Sequence, residues 1–225
     1  LLQPHNRILP DTMADNYLGR KMDEYFARRD DRAARSPAMT LDRLLLKNRS
    51  HRGYDAGFVV RDDQLRRIIE VNARIPSARN QQVLRFRPVL ADEAPALLPH
   101  IRLGGALPEL HLPLPGTEPN AFIVVCSTVG ESRYVDIDLG ISAQSMLLKA
   151  VELGLNGICI AAFDKEKIAD ALALPLEPLL VLAIGKGAER IELTEIGEND
   201  SHDYYRDGHG VHHVPKLRID DLIIR

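Results

Sequence analysis

The clearest secondary-structure pattern in the chain lies in residues 121–162, AFIVVCSTVGESRYVDIDLGISAQSMLLKAVELGLNGICIAA. Ala121–Thr128 is an apolar run of strand length, and Gly157–Ala162 is a second one. Between them, Tyr134–Leu153 carries apolar residues at helical spacing and is followed by Gly154, a residue that commonly ends helices. The segment therefore predicts two buried strands separated by the longest helix of the chain.

The spacing within that helix also predicts which of its faces is buried. Residues three and four apart lie on one side of a helix, and an apolar side should face the core. The face we expect to be buried consists of Ile137, Ile141, Gln144, Ser145, Leu148 and Val151.

Weaker patterns extend outward on both sides of this segment. They predict helices over 41–47 and from Asp62 to Asn72, a strand over 86–90, a further strand over 179–184, and an extended segment over 211–218. Residues 192–210 are polar and predict a loop. Strands and helices alternate irregularly, which favours an α+β fold with a sheet layered between helices over a doubly wound nucleotide-binding fold.

The N-terminal residues differ from the remainder of the chain. Residues 1–12 show neither a helical nor a strand period, which indicates a flexible arm or a segment added upstream. Residues 13–39 predict an N-terminal helical segment, and residues 40–225 predict the main domain.

Composition excludes several classes of protein. The chain has 225 residues, of which 29 are Lys or Arg and 32 are Asp or Glu, so its formal net charge is −3. A charge this close to balance does not indicate a nucleic-acid-binding protein. No apolar run approaches the roughly 18 residues of a membrane span, so we expect no membrane association. The two cysteines, Cys126 and Cys159, lie in apolar strand-like runs. We interpret them as reduced core residues of a cytoplasmic protein.

Two basic clusters lie far apart in the sequence. Arg49, Ser50 and Arg52 follow the helix over 41–47, and Lys216 and Arg218 lie near the C-terminus at alternate spacing. Arginine forks and a hydroxyl donor suit a phosphate group, so the clusters could converge on one phosphomonoester. Taken alone, these residues favour the simpler interpretation of two exposed basic patches without a ligand.

A second polar loop, PSARNQQ, covers residues 76–82. Its amide and hydroxyl side chains, among them Ser77, Asn80 and Gln82, offer donors and acceptors that suit the edge of a heterocycle with alternating carbonyl and N–H groups. A turn satisfied by its own hydrogen bonds is the alternative.

These motifs together resemble the nitroreductase family of flavin enzymes. The resemblance rests on Arg49-Ser50-His51-Arg52, on the loop over 76–82, on the helix that ends in Glu152-Leu153-Gly154, and on Phe163-Asp164. Their order and spacing match the family along roughly residues 40–225. The resemblance implies an α+β, three-layer fold with a mainly antiparallel central sheet flanked by helices, and a C-terminal extension onto a partner subunit.

The resemblance also implies a homodimer with one FMN at each of two subunit interfaces. The residues that it assigns to the FMN phosphate are Arg49, Ser50, Arg52, Lys216 and Arg218. Ser77, Asn80 and Gln82 of the other subunit would meet the flavin, and the turn containing Ala161 and Ala162 would supply backbone N–H groups near the flavin ring. The flavin itself would carry the chemistry, so no catalytic side chain and no metal is expected.

The implied activity is hydride transfer from NADH or NADPH, through flavin N5, to a small electron-poor acceptor such as a nitroaromatic or quinone, by a ping-pong mechanism. One alternative is a flavin-binding storage or sensing protein without significant turnover. A second alternative is a metal-binding protein that uses His209, His212 and His213, three histidines within five residues.

Overall fold

The computed structural model describes Lys21, residues 39–105 and residues 107–224. The chain divides into two compact units, Leu1–Thr40 and Leu41–Arg225. The arm predicted over residues 1–12 and the helical segment predicted over 13–39 lie outside the described residues, except for Lys21 and Met39. All of the elements below belong to the second unit.

The described residues of this unit form seven strands and six α-helices. The strands are β1 Leu84–Val89, β2 Ala121–Ser127, β3 Asn156–Ile160, β4 Pro178–Gly185, β5 Ile191–Ile196, β6 Tyr205–Arg206 and β7 His212–Leu217. The helices are α1 Leu41–Lys47, α2 Asp62–Ile69, α3 Ala94–Leu97, α4 Arg133–Glu152, α5 Lys165–Ala171 and α6 Ile219–Leu222. Short 3₁₀ turns cover Glu70–Ala73, Ala78–Asn80, Leu98–His100 and Pro108–Leu110.

The central sheet has four strands in the order β1-β2-β4-β3, and every neighbouring pair is antiparallel. All seven residues of β2 are buried, as expected for a central strand with both faces covered. Strand β3 lies at the edge, where Ser50 pairs with Gly157 and brings the loop after α1 alongside it.

Alternate residues of the sheet feed two apolar cores, because successive side chains of a strand point to opposite faces. On one face, Ile123 and Val125 pack with residues of α2 and α4. On the other face, Phe122 and Val124 pack with residues of α3 and α5. The result is three layers, helix–sheet–helix, and it confirms the predicted α+β fold with a mainly antiparallel central sheet.

A second sheet has three strands in the order β5-β7-β6. Strands β5 and β7 are parallel, with Ile191 opposite His212 and Glu195 opposite Lys216. The loop predicted over 192–210 is therefore wrong at its start, where β5 lies, and at residues 205–206, which form β6. Strand β5 forms through pairing with a distant strand, a contact that a local polar pattern does not show.

Two predictions about burial need correction. The buried face of α4 contains Val135, Asp138, Ser142, Met146 and Ala150, whereas Ile137, on the face predicted as buried, is 45% exposed. Both cysteines are free; Cys126 is buried as predicted, but Cys159 is exposed, because β3 is the edge strand.

Within the described part of the chain, no helix is long and apolar enough to cross a membrane.

Candidate functional site

The first basic loop, residues 48–54, is fixed between α1 and the edge of the central sheet. The His51 N–H donates to the Gly157 carbonyl at 3.2 Å, and the buried Tyr54 pairs with Gly187 just beyond β4. The Tyr54 hydroxyl donates back to the His51 carbonyl at 2.9 Å. These contacts hold the loop at both ends, so the side chains between them have a defined direction.

The structure brings the two distant basic clusters together around one cavity of about 270 Å³. From the first loop the lining includes Arg49, Ser50 and Arg52, and from β7 it includes Lys216. Alternate residues of a strand point to the same face, which explains why Lys216 reaches the cavity: residues 212, 214 and 216 share a face of β7, and all three line the cavity. We call this the basic cavity; its other lining residues are Asn48, Ile191, Tyr204, His212 and Val214.

Arg218 does not line the basic cavity. Its Nε donates to the Asp221 carboxylate at 3.1 Å, across the first turn of α6, and its side chain is more than half exposed. Of the five residues assigned to the FMN phosphate, four meet in the structure of a single chain, and Arg218 lies apart from them.

Arg52 is the most unusual residue of the basic cavity. It is only 9% exposed, yet its guanidinium has no carboxylate partner among the described residues. Nη1 donates to the Ser50 carbonyl at 3.0 Å, while the buried Nε has no hydrogen-bond partner. The guanidinium also lies over the Tyr204 ring, 4.8 Å from its centroid, which is a cation–π distance. A buried positive charge without a counter-ion is costly unless an anion binds beside it.

The carboxylate nearest to Arg52 is already occupied. The Glu189 side chain, 8% exposed, forms an ion pair with Arg206 and accepts the backbone N–H of Arg52. Its distance to His51 Nδ1 is 3.9 Å. Because Arg206 balances Glu189, the charge of the Arg52 guanidinium remains uncompensated.

Two other cations line the basic cavity without an ion-pair partner among the described residues. Arg49 donates from Nη2 to the Leu45 carbonyl at 2.6 Å, and its buried Nε has no partner. Burial lowers the pKa of Arg49 below its ordinary value. Lys216 is exposed at the mouth of the cavity. The cavity therefore presents three positive charges, which suits a phosphomonoester of charge near −2.

The second predicted loop, residues 76–82, is held by a buried carboxylate. Asp138 on α4, 4% exposed, accepts the Ser77 hydroxyl at 2.8 Å, the Ala78 N–H at 2.6 Å and the Gln81 amide at 3.0 Å. Burial acts to raise the pKa of Asp138, but these three hydrogen bonds outweigh it, and the net shift is downward. Since the Ser77 hydroxyl also accepts the Gln82 N–H at 3.1 Å, it serves to close the loop.

This loop is strained, and its tip faces solvent. Arg79, Asn80 and Gln82 have φ angles of 53°, 53° and 47°, in the left-handed region that glycine normally occupies. Asn80 and Gln82 are exposed and bond to each other, Nε2 to Oδ1, at 3.0 Å. Strain of this kind persists only where the surroundings hold it, and it concentrates at functional sites.

The remaining predicted residues lie in other cavities. Ser77 and Gln82 line a cavity of about 270 Å³ between β1 and α4. Ala161 and Ala162, both exposed, line a third cavity of about 450 Å³, where the Arg102 N–H donates to the Ala162 carbonyl at 2.9 Å. A single chain therefore does not gather the three predicted flavin-contacting segments into one cavity.

The histidine cluster does not assemble. His212 is buried facing Arg52, whereas His213, on the opposite face of β7, bonds to the Asp207 carboxylate at 2.9 Å. The hydrogen bond from His213, together with backbone N–H groups, lowers the pKa of Asp207 to about 2. In the described part of the chain, no group of three His, Cys, Asp or Glu side chains could hold a metal ion.

Sequence reasoning missed three residues of these sites, Asp138, Glu189 and Tyr204, and it considered His212 as a candidate metal ligand. Two of these four residues carried a usable signal. Asp138 is an acid at i−4 from Ser142 on the helix face that is buried, and His212 has the alternate spacing from Lys216 that places both side chains on one strand face. Glu189 and Tyr204 reach the site through turns whose course depends on the second sheet.

The comparisons with known proteins agree with this geometry. Residues 120–186, from the start of β2 to just beyond β4, match the family model of the Nitroreductase family. No curated protein matches the sequence significantly. Among solved structures, a nitroreductase family protein from Streptococcus pneumoniae TIGR4 has a TM-score of 0.60 and 18% identity, over 83% of this chain and 100% of that one.

Two further structures show the same fold. A nitroreductase family protein from Clostridium difficile 630 has a TM-score of 0.54 and 24% identity, over 67% of this chain and 86% of that one. A protein from Exiguobacterium sibiricum 255-15, solved in complex with FMN, has a TM-score of 0.55 and 20% identity, over 68% of this chain and 91% of that one. The chain thus has the nitroreductase fold, and the resemblance to the Nitroreductase family is confirmed.

Proposed function

We propose that this protein is an FMN-dependent oxidoreductase that takes hydride from NADH or NADPH and passes it to a small electron-poor acceptor such as a nitroaromatic or quinone. The family match over 120–186 and the shared fold support the class. The observation that carries the proposal is the buried Arg52 guanidinium, which has no carboxylate partner among the described residues and lies in a cavity lined by further cations.

The basic cavity fits the phosphate of FMN. Arg49 and Arg52 each have a buried Nε without a partner, and Lys216 adds a third positive charge. Ser50 contributes a hydroxyl at the same cavity. Charge-assisted hydrogen bonds from such donors are each worth about 1.5–3 kcal/mol, so a phosphate there would repay the cost of burying Arg52.

The residues of the chain bind and orient, and the cofactor supplies the reaction. When bound, FMN would supply hydride acceptance and transfer at N5, so no catalytic side chain is required. Arg49, Ser50, Arg52 and Lys216 would hold the phosphate, and Arg218 would join them only by leaving Asp221. The exposed backbone of Ala161 and Ala162 would face the flavin ring. Donor and acceptor would bind in turn, by a ping-pong mechanism.

A homodimer would complete each site. Ser77, Asn80 and Gln82 lie on a strained, solvent-facing loop outside the basic cavity of their own chain. A second copy could bring this loop to the flavin bound by the first, as the resemblance implies. The two free cysteines are compatible with a reducing compartment, and we place the protein in the cytoplasm.

An absorbance spectrum of purified protein, before and after FMN is added and excess removed, tests the cofactor. We expect a yellow protein with one FMN per chain, bleached rapidly by NADH or NADPH without oxygen and recoloured by a quinone. Protein that stays colourless after reconstitution would contradict the proposal. FMN that binds but is never bleached would instead favour a storage or sensing protein.

Arg52→Gln tests the residue on which the proposal depends. The variant should bind FMN roughly ten- to a hundredfold more weakly, because one charge-assisted contact to phosphate is lost. Arg74→Gln is the matched control, since Arg74 is an exposed arginine that follows the 3₁₀ turn Glu70–Ala73 and pairs with Glu70. Equal FMN affinity in both variants would remove Arg52 from the site.

A further inference from the structure

The side chain of β7 that contacts the Arg52 guanidinium is His212. It is 1% exposed, and its Nε2 lies 3.4 Å from Arg52 Nη1. A guanidinium has no acceptor, so the proton in this contact comes from Arg52 and the imidazole accepts it. His212 is therefore neutral, with its proton on Nδ1, an atom that is buried without a partner.

The electrostatics of the surroundings agree with a neutral imidazole. Burial is the largest cause that lowers the pKa of His212, and the charge of Arg52 lowers it further. Glu189 acts in the opposite direction, while Arg206 and His213 add to the lowering. A protonated His212 would present a second N–H to a guanidinium that can only donate.

Contacts around Arg52 divide its donors into two groups. Both protons of Nη1 are engaged, one by the Ser50 carbonyl at 3.0 Å and one by His212. Nη2 donates to none of the described residues, and Arg52 lines the basic cavity together with Arg49. Tyr204 completes a slot, with its ring 4.8 Å from the Arg52 guanidinium and 5.2 Å from the His212 ring.

We infer that His212 is a positioning residue for phosphate recognition: its neutral Nε2 holds the Arg52 guanidinium in the basic cavity and away from Glu189. The inference rests on the proposed function, since it concerns the group that binds the FMN phosphate. Glu189 is the competing partner, because it already accepts the Arg52 backbone N–H. Without the contact to His212, the guanidinium could turn toward that carboxylate. Its charge would then be balanced by an internal ion pair and would no longer be available to a phosphate.

Two amide substitutions separate the ring nitrogens of His212. In His212→Gln, the side-chain amide can place an acceptor near the position of Nε2, whereas in His212→Asn it reaches only the position of Nδ1. We expect FMN affinity about tenfold weaker in the Asn variant and close to wild type in the Gln variant. His213→Asn is the matched control, because His213 points to the opposite face of β7 and bonds to Asp207.

Riboflavin provides a readout that a merely structural role would not move. It has the flavin ring of FMN without the phosphate, so a residue that acts through Arg52 should change FMN affinity and leave riboflavin affinity unchanged. Equal losses for both ligands in His212→Asn, equal effects of Asn and Gln, or no loss at all would each overturn the inference.

Wild-type protein that takes up no flavin would refute the proposed function itself. In that case inorganic phosphate serves as the probe for the positioning role of His212. Phosphate titrations followed by thermal unfolding would then compare wild type with both variants. A stabilisation that is reduced in His212→Asn and retained in His212→Gln supports the positioning role. The same stabilisation in all three proteins, or none in any of them, contradicts it.

Discussion

At the scale of single residues, buried polar groups show where this chain departs from a generic α+β domain. Asp138, Glu189 and His212 are each largely buried, and each contacts one of the loops or cations assigned to flavin. Burying such groups is costly without partners. Asp138 and Glu189 have hydrogen-bond or ion-pair partners, whereas the Nε of Arg52 does not, and this difference is the basis for the proposed phosphate site.

Asp138→Asn should destabilise the loop over 76–82. An amide replaces one accepting oxygen by a donor, so at least one of the three hydrogen bonds to the loop is lost and two donors face each other. We expect the free energy of unfolding in urea to fall by about 1–3 kcal/mol. Asp136→Asn is the control, because Asp136 is an exposed acid on the same helix. A comparable loss in both variants would show that Asp138 has no special role in the loop.

The buried histidines should make the free energy of unfolding depend on pH. Burial is the largest cause that lowers the pKa of both His51 and His212 below 6.5. The unfolded chain therefore binds protons more readily than the folded chain, and the stability that these residues contribute is complete above about pH 6.5 and is lost as the pH falls below it.

We expect the urea midpoint to be nearly constant from pH 8 to pH 7 and to fall between pH 6.5 and pH 5.5. His212→Gln removes one of the two titrating groups, so its midpoint should fall less steeply over the same interval. A wild-type midpoint that rises or stays level toward pH 5.5 would show that these imidazoles are not held neutral by the fold.

At the scale of elements, the sequence predicted the strands and helices of the central layers well, because their patterns are local. Strand β2 and helix α4 both agree with the predictions. Strand β5 was missed and the buried face of α4 was misassigned. Both depend on partners that are distant in sequence, and Ile137, on the face predicted as buried, is exposed in the single chain.

The edge strand β3 connects the central sheet to the first basic loop. A Cβ added at Gly157 would lie 2.6 Å from the Ala183 carbonyl oxygen and 2.7 Å from the Leu147 side chain, closer than real contacts allow. Gly157→Ala should therefore push β3 away from β4. Because the Gly157 carbonyl accepts the His51 N–H, the first basic loop would move with the strand.

We expect Gly157→Ala to lower the thermal midpoint and to weaken FMN binding together. Gly140→Ala is the matched control, since nothing lies within 4 Å of its added Cβ on helix α4. Alanine there should stabilise the protein by about 0.5–1 kcal/mol through helix propensity. Full FMN affinity in Gly157→Ala would show that β3 does not hold the phosphate loop.

At the scale of the whole molecule, the surface carries apolar residues that a single chain leaves uncovered. Leu41, Leu46, Ile219 and Leu222 are each more than 60% exposed. Two of them lie on α6, directly after Arg218, and two lie on α1, directly before the first basic loop. Exposed apolar residues next to site segments of the chain agree with the proposed homodimer, because an interface would cover them.

Only some of the site residues could be predicted to lie together from the sequence of one chain. The motif around Arg49–Arg52 and the alternation of Lys216 are visible in the sequence, and the structure joins them at the basic cavity. In the proposed homodimer, the approach of Ser77, Asn80 and Gln82 to that cavity depends on a second chain. A single sequence specifies both surfaces of such an interface without showing how they meet.

Charges placed on α6 should separate the two copies and release the flavin. We expect wild-type protein to sediment at twice the 25.1 kDa mass of one chain, and Ile219→Glu combined with Leu222→Glu to sediment as a single chain. If each site needs the partner's loop over 76–82, FMN affinity should fall in parallel with dimer content. Val59→Glu is the control, because Val59 is 57% exposed in the connection before α2. A monomer that still binds FMN as tightly as wild type would show that one chain completes the site alone.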